Sequence, residues 1–350
     1  MSFADAIRDA LDDSLAQWPE MLLIGEGVPD PKAIFGTTQG LQQKYGADRV
    51  LDMPLSENGM TGVCIGAALD GMRPVMIHQR IEFVMLAMDQ LVNNAAKWHY
   101  MFNGQQQVPI VIRMIIGRGW GQGPQHSQGL QALFAKIPGL KVVMPATSHD
   151  AYHMMKAAIE DNNPVLFIEH RWLHHITGPV DKGNKTTDLA GAKVLQAGED
   201  VTIAAYSQMV IESLRAAEEL KQYGINAEVI DMRCLTPVDI DTVFASVKKT
   251  GRLIVVDCAC DTATIAHTII SKIIQRDTHV FTCPPQVIAW PDHPVPTSHF
   301  QAENYYPGYK DIIDQALMLL ARGDEIGAVE NITGDVIPKD IPDRSFVGPF

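Results

Sequence analysis

The sequence predicts an α/β chain of two domains, each a mainly parallel sheet flanked by helices. Three observations carry that reading. Short apolar runs alternate with longer helical patterns, the order that builds a parallel sheet with both faces covered. Residues 178–188 (GPVDKGNKTTD) break the alternation with a polar stretch holding two glycines and a proline. The alternation then restarts, and 350 residues exceed one ordinary domain of roughly 100–200. The expected limits are a first domain at 1–177, a linker at 178–192, a second domain at 193–328 and an extended tail at 329–350.

Residues 1–18 read as an amphipathic helix rather than a signal peptide, because Phe3, Ile7, Leu11 and Leu15 recur every fourth position. Ser2 with Asp5 is placed to cap its start. In the first domain strands are expected at 22–24, 75–77, 108–116, 142–144 and 165–169. Between them 59–69 reads as a buried helix rich in small residues, 83–100 as a long helix and 148–160 as another. In the second domain strands are expected at 201–206, 227–231, 253–257 and 286–289, and helices at 209–223, 239–249 and 262–274.

Composition excludes some functions. Apolar residues make up 46% and charged residues 20%, enough to bury a core. The net charge is −13, from 41 acids against 28 bases, which argues against a nucleic-acid partner because phosphate binding needs a basic surface. No apolar run reaches the roughly 18–20 residues of a membrane span. The five cysteines are odd in number and form no C-x-x-C pair, so reduced thiols and a cytoplasmic location are expected.

Two segments draw attention on their own chemistry. In Leu55-Ser-Glu57-Asn-Gly-Met-Thr-Gly62 a glutamate enters where a small-residue helix begins, and free N–H groups at a helix start favour negative charge. An ordinary N-terminal helix glutamate accounts for the same pattern. In Gly117-Arg-Gly-Trp-Gly-Gln-Gly-Pro-Gln-His126-Ser-Gln128, four glycines in seven positions make a loop after a strand, where open α/β sheets place ligands. Histidine moves protons near neutral pH, but a surface loop with an incidental histidine fits equally. The glycine spacing matches no phosphate-binding loop.

The motifs become specific when taken together. Asp52-Met-Pro-Leu-Ser-Glu-Asn-Gly59 resembles D-T-P-[IL]-S-E-x-G, and Asp89-Gln-Leu-Val-Asn-Asn-Ala-Ala-Lys97 resembles D-Q-[IL]-x-N-x-A-A-K. His126-Ser-Gln, Pro138-Gly-Leu-Lys-Val-Val-Met-Pro145, Asp161-Asn-Asn-Pro164, Val229-Ile-Asp-Met-Arg-Cys-Leu-Thr-Pro237 and Ser246-Val-Lys-Lys-Thr-Gly-Arg252 follow in order. The series, from about residue 3 to residue 325, resembles the beta subunits of thiamine-diphosphate-dependent 2-oxo acid dehydrogenases, whose pyruvate, branched-chain and acetoin members share it.

That resemblance implies a transketolase-like pyrimidine-binding domain followed by a transketolase C-terminal-like domain. It implies that Glu57 lies against the aminopyrimidine ring nitrogen of thiamine diphosphate and shares a proton there, help worth roughly 10²–10⁴-fold in rate. Phe83 falls where the family stacks an aromatic ring on the pyrimidine. Glu26 matches a buried family acid near the subunit interface and is grouped with the cofactor-binding residues. His126 is implied as a proton donor near the substrate or a lipoyl group. Oxygens of Ile110, Ala158, Ile159, Asp161 and Asn163 match a potassium site, hard ligands for a hard cation, although a helix ending at Asp161-Asn-Asn-Pro164 explains the same residues. The family's diphosphate and Mg2+ motif, G-D-G followed by N-N, is absent here and lies on the alpha subunit. A cofactor site shared with that subunit, an α2β2 heterotetramer and a lipoylated acyltransferase partner follow.

The chain departs from the pattern at Ile77-His78-Gln79-Arg80, which replaces an acid-and-Phe-rich segment, and at Asp257-Cys-Ala-Cys260. Arg80 either selects an anionic group on the substrate or pairs with Glu82. Cys258 with Cys260, and His149 with His153, lack the further ligands a metal needs. The expected activity is oxidative decarboxylation of a small 2-oxo acid with acyl transfer to a lipoyl carrier. The rivals are a split carboligase or decarboxylase without a lipoyl partner, and a non-catalytic assembly subunit.

Overall fold

The computed structural model describes residues 1–118, 121–183, 189–326 and 339. They fall into two compact units. The first comprises Met1–Gly117 with the described residues of Leu133–Leu189. The second comprises the described residues of Arg118–Ala132 and those from Ala190 onward.

The first unit opens with helix α1 (Phe3–Gln17), capped by the Ser2 hydroxyl accepting from the Asp5 N–H at 3.1 Å. Its four-residue stripe of Phe3, Ile7, Leu11 and Leu15 is buried, against α6 (Ser148–Glu160). Strands β1 (Met21–Gly25), β2 (Val50–Leu51), β3 (Arg73–His78), β4 (Val111–Ile116), β5 (Lys141–Val143) and β6 (Val165–His170) lie parallel in the order β5-β6-β4-β3-β1-β2. Every residue of β4 and β6 is buried, as expected of strands covered on both faces. Helices α2 (Leu41–Tyr45), α3 (Glu57–Leu69), α4 (Ala96–Met101) and the short α5 (Gln131–Ala135) complete the connections.

The long helix expected at 83–100 is replaced by three windings. Residues Ile81–Ala87 form a 3₁₀ run, Gln90–Ala95 a π-helix and Ala96–Met101 the α-helix α4. The buried positions record the change: Ile81, Val84 and Ala87 are three apart, then Leu91 and Ala95 are four apart. Tight winding keeps three-residue neighbours on one face, and the wider turn takes over where the spacing lengthens. Amide side chains brace the wide turn, Asn93 donating to Asp89 at 2.7 Å and Asn94 to Gln90 at 3.1 Å.

A charged group sits in the core of this unit. Arg113 on β4 donates from Nη2 to Glu169 Oε1 on β6 at 2.5 Å and to the Thr37 hydroxyl at 2.8 Å. His174 Nε2 donates to the same Glu169 oxygen at 3.0 Å, and its Nδ1 accepts from Arg171 at 3.2 Å. An arginine can only donate and a carboxylate only accept, so the ring is neutral with its proton on Nε2. Burial holds His174 down to about 4 against the pull of Glu169. Burial alone would raise Glu169, but Arg113 and His174 override it and hold the carboxyl at about 2.

In the second unit strands β7 (Lys193–Gln196), β8 (Val201–Ala205), β9 (Ala227–Asp231), β11 (Leu253–Cys260) and β12 (Gln286–Trp290) take the order β12-β11-β8-β9-β7, with β10 (Cys234–Thr236) following β9 in sequence. All neighbours are parallel except β7 with β9. Helices α7 (Gln208–Gln222), α8 (Ile240–Thr250), α9 (Ile265–Arg276), α10 (His299–Ala302) and α11 (Tyr309–Leu319) complete it. The sequence reading missed β7 and α11. Of the expected tail only Lys339 lies within the described residues, where its ammonium meets Asp311 at 3.1 Å; residues 184–188 of the linker also lie outside them.

Candidate active site

The carboxylates of the first unit meet beyond the carboxyl ends of its parallel strands, where such sheets bind ligands. β1 ends at Gly25, where a Cβ would stand 2.5 Å from the Ile77 carbonyl oxygen, so only glycine lets β1 run so close to β3. Glu26 follows, and Gly27 turns with φ +70° while its N–H donates to Asp52 Oδ1 at 2.9 Å. Gln79, just past β3, donates to the Glu26 carbonyl at 3.0 Å. Glu26 is thus fixed by groups leaving β2 and β3, and its buried Oε1 has no hydrogen-bond partner. Burial raises the Glu26 carboxyl above its ordinary range, and the charges of Glu57 and Asp52 raise it further. Glu26 and Glu57, read separately in the sequence, therefore share one electrostatic neighbourhood.

Glu57 is the first residue of α3 and is 7% exposed. One turn on, the Thr61 hydroxyl donates to the Glu57 carbonyl at 2.7 Å and lies 3.4 Å from Met76 Sδ on β3. Those contacts tie the first turn of α3 to the sheet. Phe83 stands half-buried in the 3₁₀ run, which packs against α3. A carboxylate, a second acid with an unanswered oxygen and a half-buried phenylalanine are groups that fit an aminopyrimidine.

Arg80 is buried, with its guanidinium 5.8 Å from the Phe35 ring centroid. Burial lowers its affinity for the proton, while the charge of Glu82 restores part of it. Arg171 lies 4.4 Å from the same ring, drawn down to about 10 by burial and then by the like charge of Arg80. Phe35 belongs to a left-handed run, with φ of +31° at Ala33, +41° at Ile34 and +58° at Phe35. Such conformations cost of order 1–3 kcal/mol each and persist only where the surroundings hold them. Neither Phe35 nor Arg171 was singled out by the sequence, since their meeting with Arg80 depends on the fold.

His126 belongs to the second unit, with Arg118–Ala132. It is exposed, after the 3₁₀ turn Gly123–Gln125, and its N–H reaches the Gly123 carbonyl at 3.4 Å. Ser127 beside it is buried. The loop expected from the glycines is observed, with positive φ at Gly121 and Gly123; Gly119 and Trp120 lie outside the described residues.

Of the residues expected to hold potassium, Ala158, Ile159 and Asp161 lie at the end of α6, Asn163 follows it, and Ile110 precedes β4. Arg73 donates to the carbonyls of Ile159 at 2.8 Å and Asp161 at 3.3 Å, and to Asn162 Oδ1 at 2.8 Å. The Asp161 carboxylate pairs with Lys141 and accepts from the Asn163 N–H at 2.9 Å. The Ile110 carbonyl accepts from Val165 at 3.0 Å, and Ala158 is buried in α6. Asn163 Oδ1 is buried without a partner. Among the described residues no group of three His, Cys, Asp or Glu is placed to hold a metal. All five cysteines are free, and His153 spends Nε2 on the Asp181 carbonyl at 2.8 Å. No helix among the described residues is long and apolar enough to cross a membrane.

Fold and carboxylates define a two-domain α/β chain with an acidic edge beyond the strand ends of its first domain. Residues 1–175 match the transketolase pyrimidine-binding domain and residues 190–312 the transketolase C-terminal domain. The acetoin:2,6-dichlorophenolindophenol oxidoreductase subunit beta of Cupriavidus necator is 39% identical over 333 residues, 92% of this chain and 98% of that protein. The pyruvate dehydrogenase E1 component subunit beta of Bacillus subtilis is 40% identical over 322 residues, 91% of this chain and 98% of that protein. A solved structure described as a split gene transketolase, inactive beta4 tetramer, has the same fold, with TM-score 0.73 at 20% identity over 92% of this chain and 99% of that one. The chain belongs to the transketolase-domain family that includes the beta subunits of pyruvate dehydrogenase and acetoin oxidoreductase.

Proposed function

We propose that this chain is the beta subunit of a 2-oxo acid dehydrogenase, completing a thiamine diphosphate site with an alpha subunit in an α2β2 assembly. The observation that supports the reading is the electrostatic coupling of Glu57 and Glu26 beyond the carboxyl ends of the parallel strands, with Phe83 on a 3₁₀ run that packs against α3, in a chain whose first half matches a pyrimidine-binding domain. When bound, thiamine diphosphate supplies the ring that stabilises the carbanion left by decarboxylation. Glu57 holds a proton at the pyrimidine nitrogen, Phe83 covers one ring face, and Glu26 keeps the pocket acidic. His126 delivers a proton to the group accepting the acyl unit. The diphosphate and Mg2+ belong to the alpha subunit, because this chain has no G-D-G motif.

The proposed domain limits are 1–177 and 193–328, joined by 178–192 and followed by the tail 329–350. A monovalent cation, K+, is proposed among the oxygens of Ile110, Ala158, Ile159, Asp161 and Asn163, supported by the unanswered Asn163 Oδ1. Lys141 already pairs with the Asp161 carboxylate and Arg73 takes one lone pair of the Asp161 carbonyl, so cation binding there rests on the second lone pairs of neutral carbonyls. Arg80 is proposed to read charge on the substrate, and the location is proposed to be the cytoplasm.

The test is reconstitution with the alpha subunit, 2-oxo acid and a lipoylated carrier. Reductive acylation of the carrier supports the proposal. Carbon–carbon bond formation or simple decarboxylation without carrier turnover assigns a carboligase or decarboxylase instead. Unchanged turnover in Glu57→Gln assigns a non-catalytic role.

A further inference from the structure

The segment bearing His126 follows β4 in sequence but is fastened to the second unit at four points. The Arg118 guanidinium lies 4.6 Å from the Tyr306 ring centroid. At Gly123, with φ +66°, a Cβ would stand 2.4 Å from Thr297 Cγ2. Gly129 is laid on the backbone of β11, where a Cβ would stand 2.0 Å from the Cys258 carbonyl oxygen. Gln131 donates from Nε2 to Asp257 Oδ1 at 2.8 Å. Asp257 is fully buried, and its other oxygen takes the Thr264 hydroxyl.

Asp257 and Cys258 lie in the carboxyl half of β11. The sheet order sets β11 beside β8, while the chain passes from β8 to β9 on the other side. Such a reversal leaves a crevice beyond the strand ends, the usual ligand position in an open parallel sheet. Here the chain's own Gly129 and Gln131 occupy the β11 edge of it. Burial holds the Asp257 carboxyl above its ordinary range, while Thr264 and Gln131 draw it back. A buried acid held by two side chains and the Cys258 backbone is sensitive to losing either side chain.

We propose that Asp257, acting through Gln131 and the close approach of Gly129, is a positioning residue that fixes the His126 loop for proton transfer. The inference rests on the reading of His126 as a proton donor in the reaction. It gives the second domain a part in catalysis: its sheet edge is the template on which the loop is registered. A displacement of about 1 Å at a reacting group costs on the order of 10²-fold in rate.

Two arms test it on the full chain. In the chain alone, hydrogen exchange at the amides of 121–132 is compared between wild type and Gln131→Ala, with α7 and α9 as internal references. Exchange about fivefold faster or more in the loop, with references unchanged, is expected from losing one buried hydrogen bond; unchanged loop protection overturns the clamp. In the reconstituted complex, Gln131→Ala and Asp257→Ala are expected to lower kcat about 10- to 100-fold with KM for the oxo acid unchanged. Asp257→Asn, which keeps an oxygen for Gln131, is expected to recover most of that loss. In a His126→Ala background the Gln131 change is expected to add nothing. Losses that multiply, or a His126→Ala variant with wild-type kcat, overturn the positioning role. A wild-type complex without oxo acid turnover defeats the functional reading, while exchange still decides whether the clamp exists.

Discussion

Replacing His78 with phenylalanine is expected to remove about half of the acid sensitivity that two buried histidines confer on the first unit. His78, at the end of β3, is 3% exposed, and its Nε2 has no hydrogen-bond partner. Burial alone holds it down to about 4 from 6.5, and His174 is held to about 4 as well. The folded pKa lies below the unfolded one in both cases. Stability is therefore fully present above pH 6.5 and is lost as pH falls toward 4, because the unfolded chain takes up the protons first. Each histidine then makes the fold about 2 kcal/mol less stable at pH 5 than at pH 7, about 4 kcal/mol for the pair. That is a large share of the roughly 5–15 kcal/mol of an ordinary domain. His175 is also shifted down by burial and works in the same direction. Urea-dependent hydrogen exchange of the β4 and β6 amides reads the opening energy of this unit alone. The difference in pH dependence between wild type and His78→Phe isolates one proton. Equal pH dependence in the two proteins, or a wild type equally stable at pH 5 and 7, would refute the argument.

Four shorter expectations follow. Glu57→Gln is expected to lower kcat of the reconstituted complex by about 10²–10⁴-fold while leaving the thermal transition within a few degrees of wild type; stopped activity assays and calorimetry check both. Glu169→Gln leaves Arg113 uncompensated in the core and is expected to cost about 3–5 kcal/mol in urea denaturation, whereas exchanging the whole pair for apolar residues costs far less. Arg80→Ala is expected to change the ratio of rates on neutral and acidic oxo acids at least tenfold, and an unchanged ratio leaves Arg80 only its pairing with Glu82. Replacing NaCl with KCl at equal ionic strength is expected to raise the melting temperature by a few degrees, and Asn163→Ala to abolish the difference; equal melting curves in both salts refute cation binding.

Much of the fold was legible because local pattern and burial agree. The stripe of Phe3, Ile7, Leu11 and Leu15 is the buried face of α1, the apolar run at 108–116 contains the fully buried strand β4, and the run at 165–169 is all of the fully buried β6 except His170. The segment 83–100 was misread as one helix because the buried spacing of three and then four across Ile81–Ala95 averages to a helical period. Strand β7 escaped because its pattern is half exposed and its place is fixed by an antiparallel pairing with β9. Glu57 and Glu26 were visible one at a time, since each lies in a short motif. Their electrostatic coupling was not, because β1 and α3 are brought together only by the sheet. The membership of the His126 loop in the second unit was equally hidden. It depends on Gln131 reaching Asp257, 126 residues away.

This chain is proposed to carry only the pyrimidine half of a cofactor site. Calorimetric titration with thiamine diphosphate and Mg2+ tests that proposal most directly, on the chain alone and on the chain copurified with its alpha subunit. Tight binding by the pair, weak or no binding by the chain alone, and loss of affinity in the Glu57→Gln pair are expected. Tight binding by the isolated chain would contradict the proposal, since the diphosphate and metal would then be held by residues of this chain.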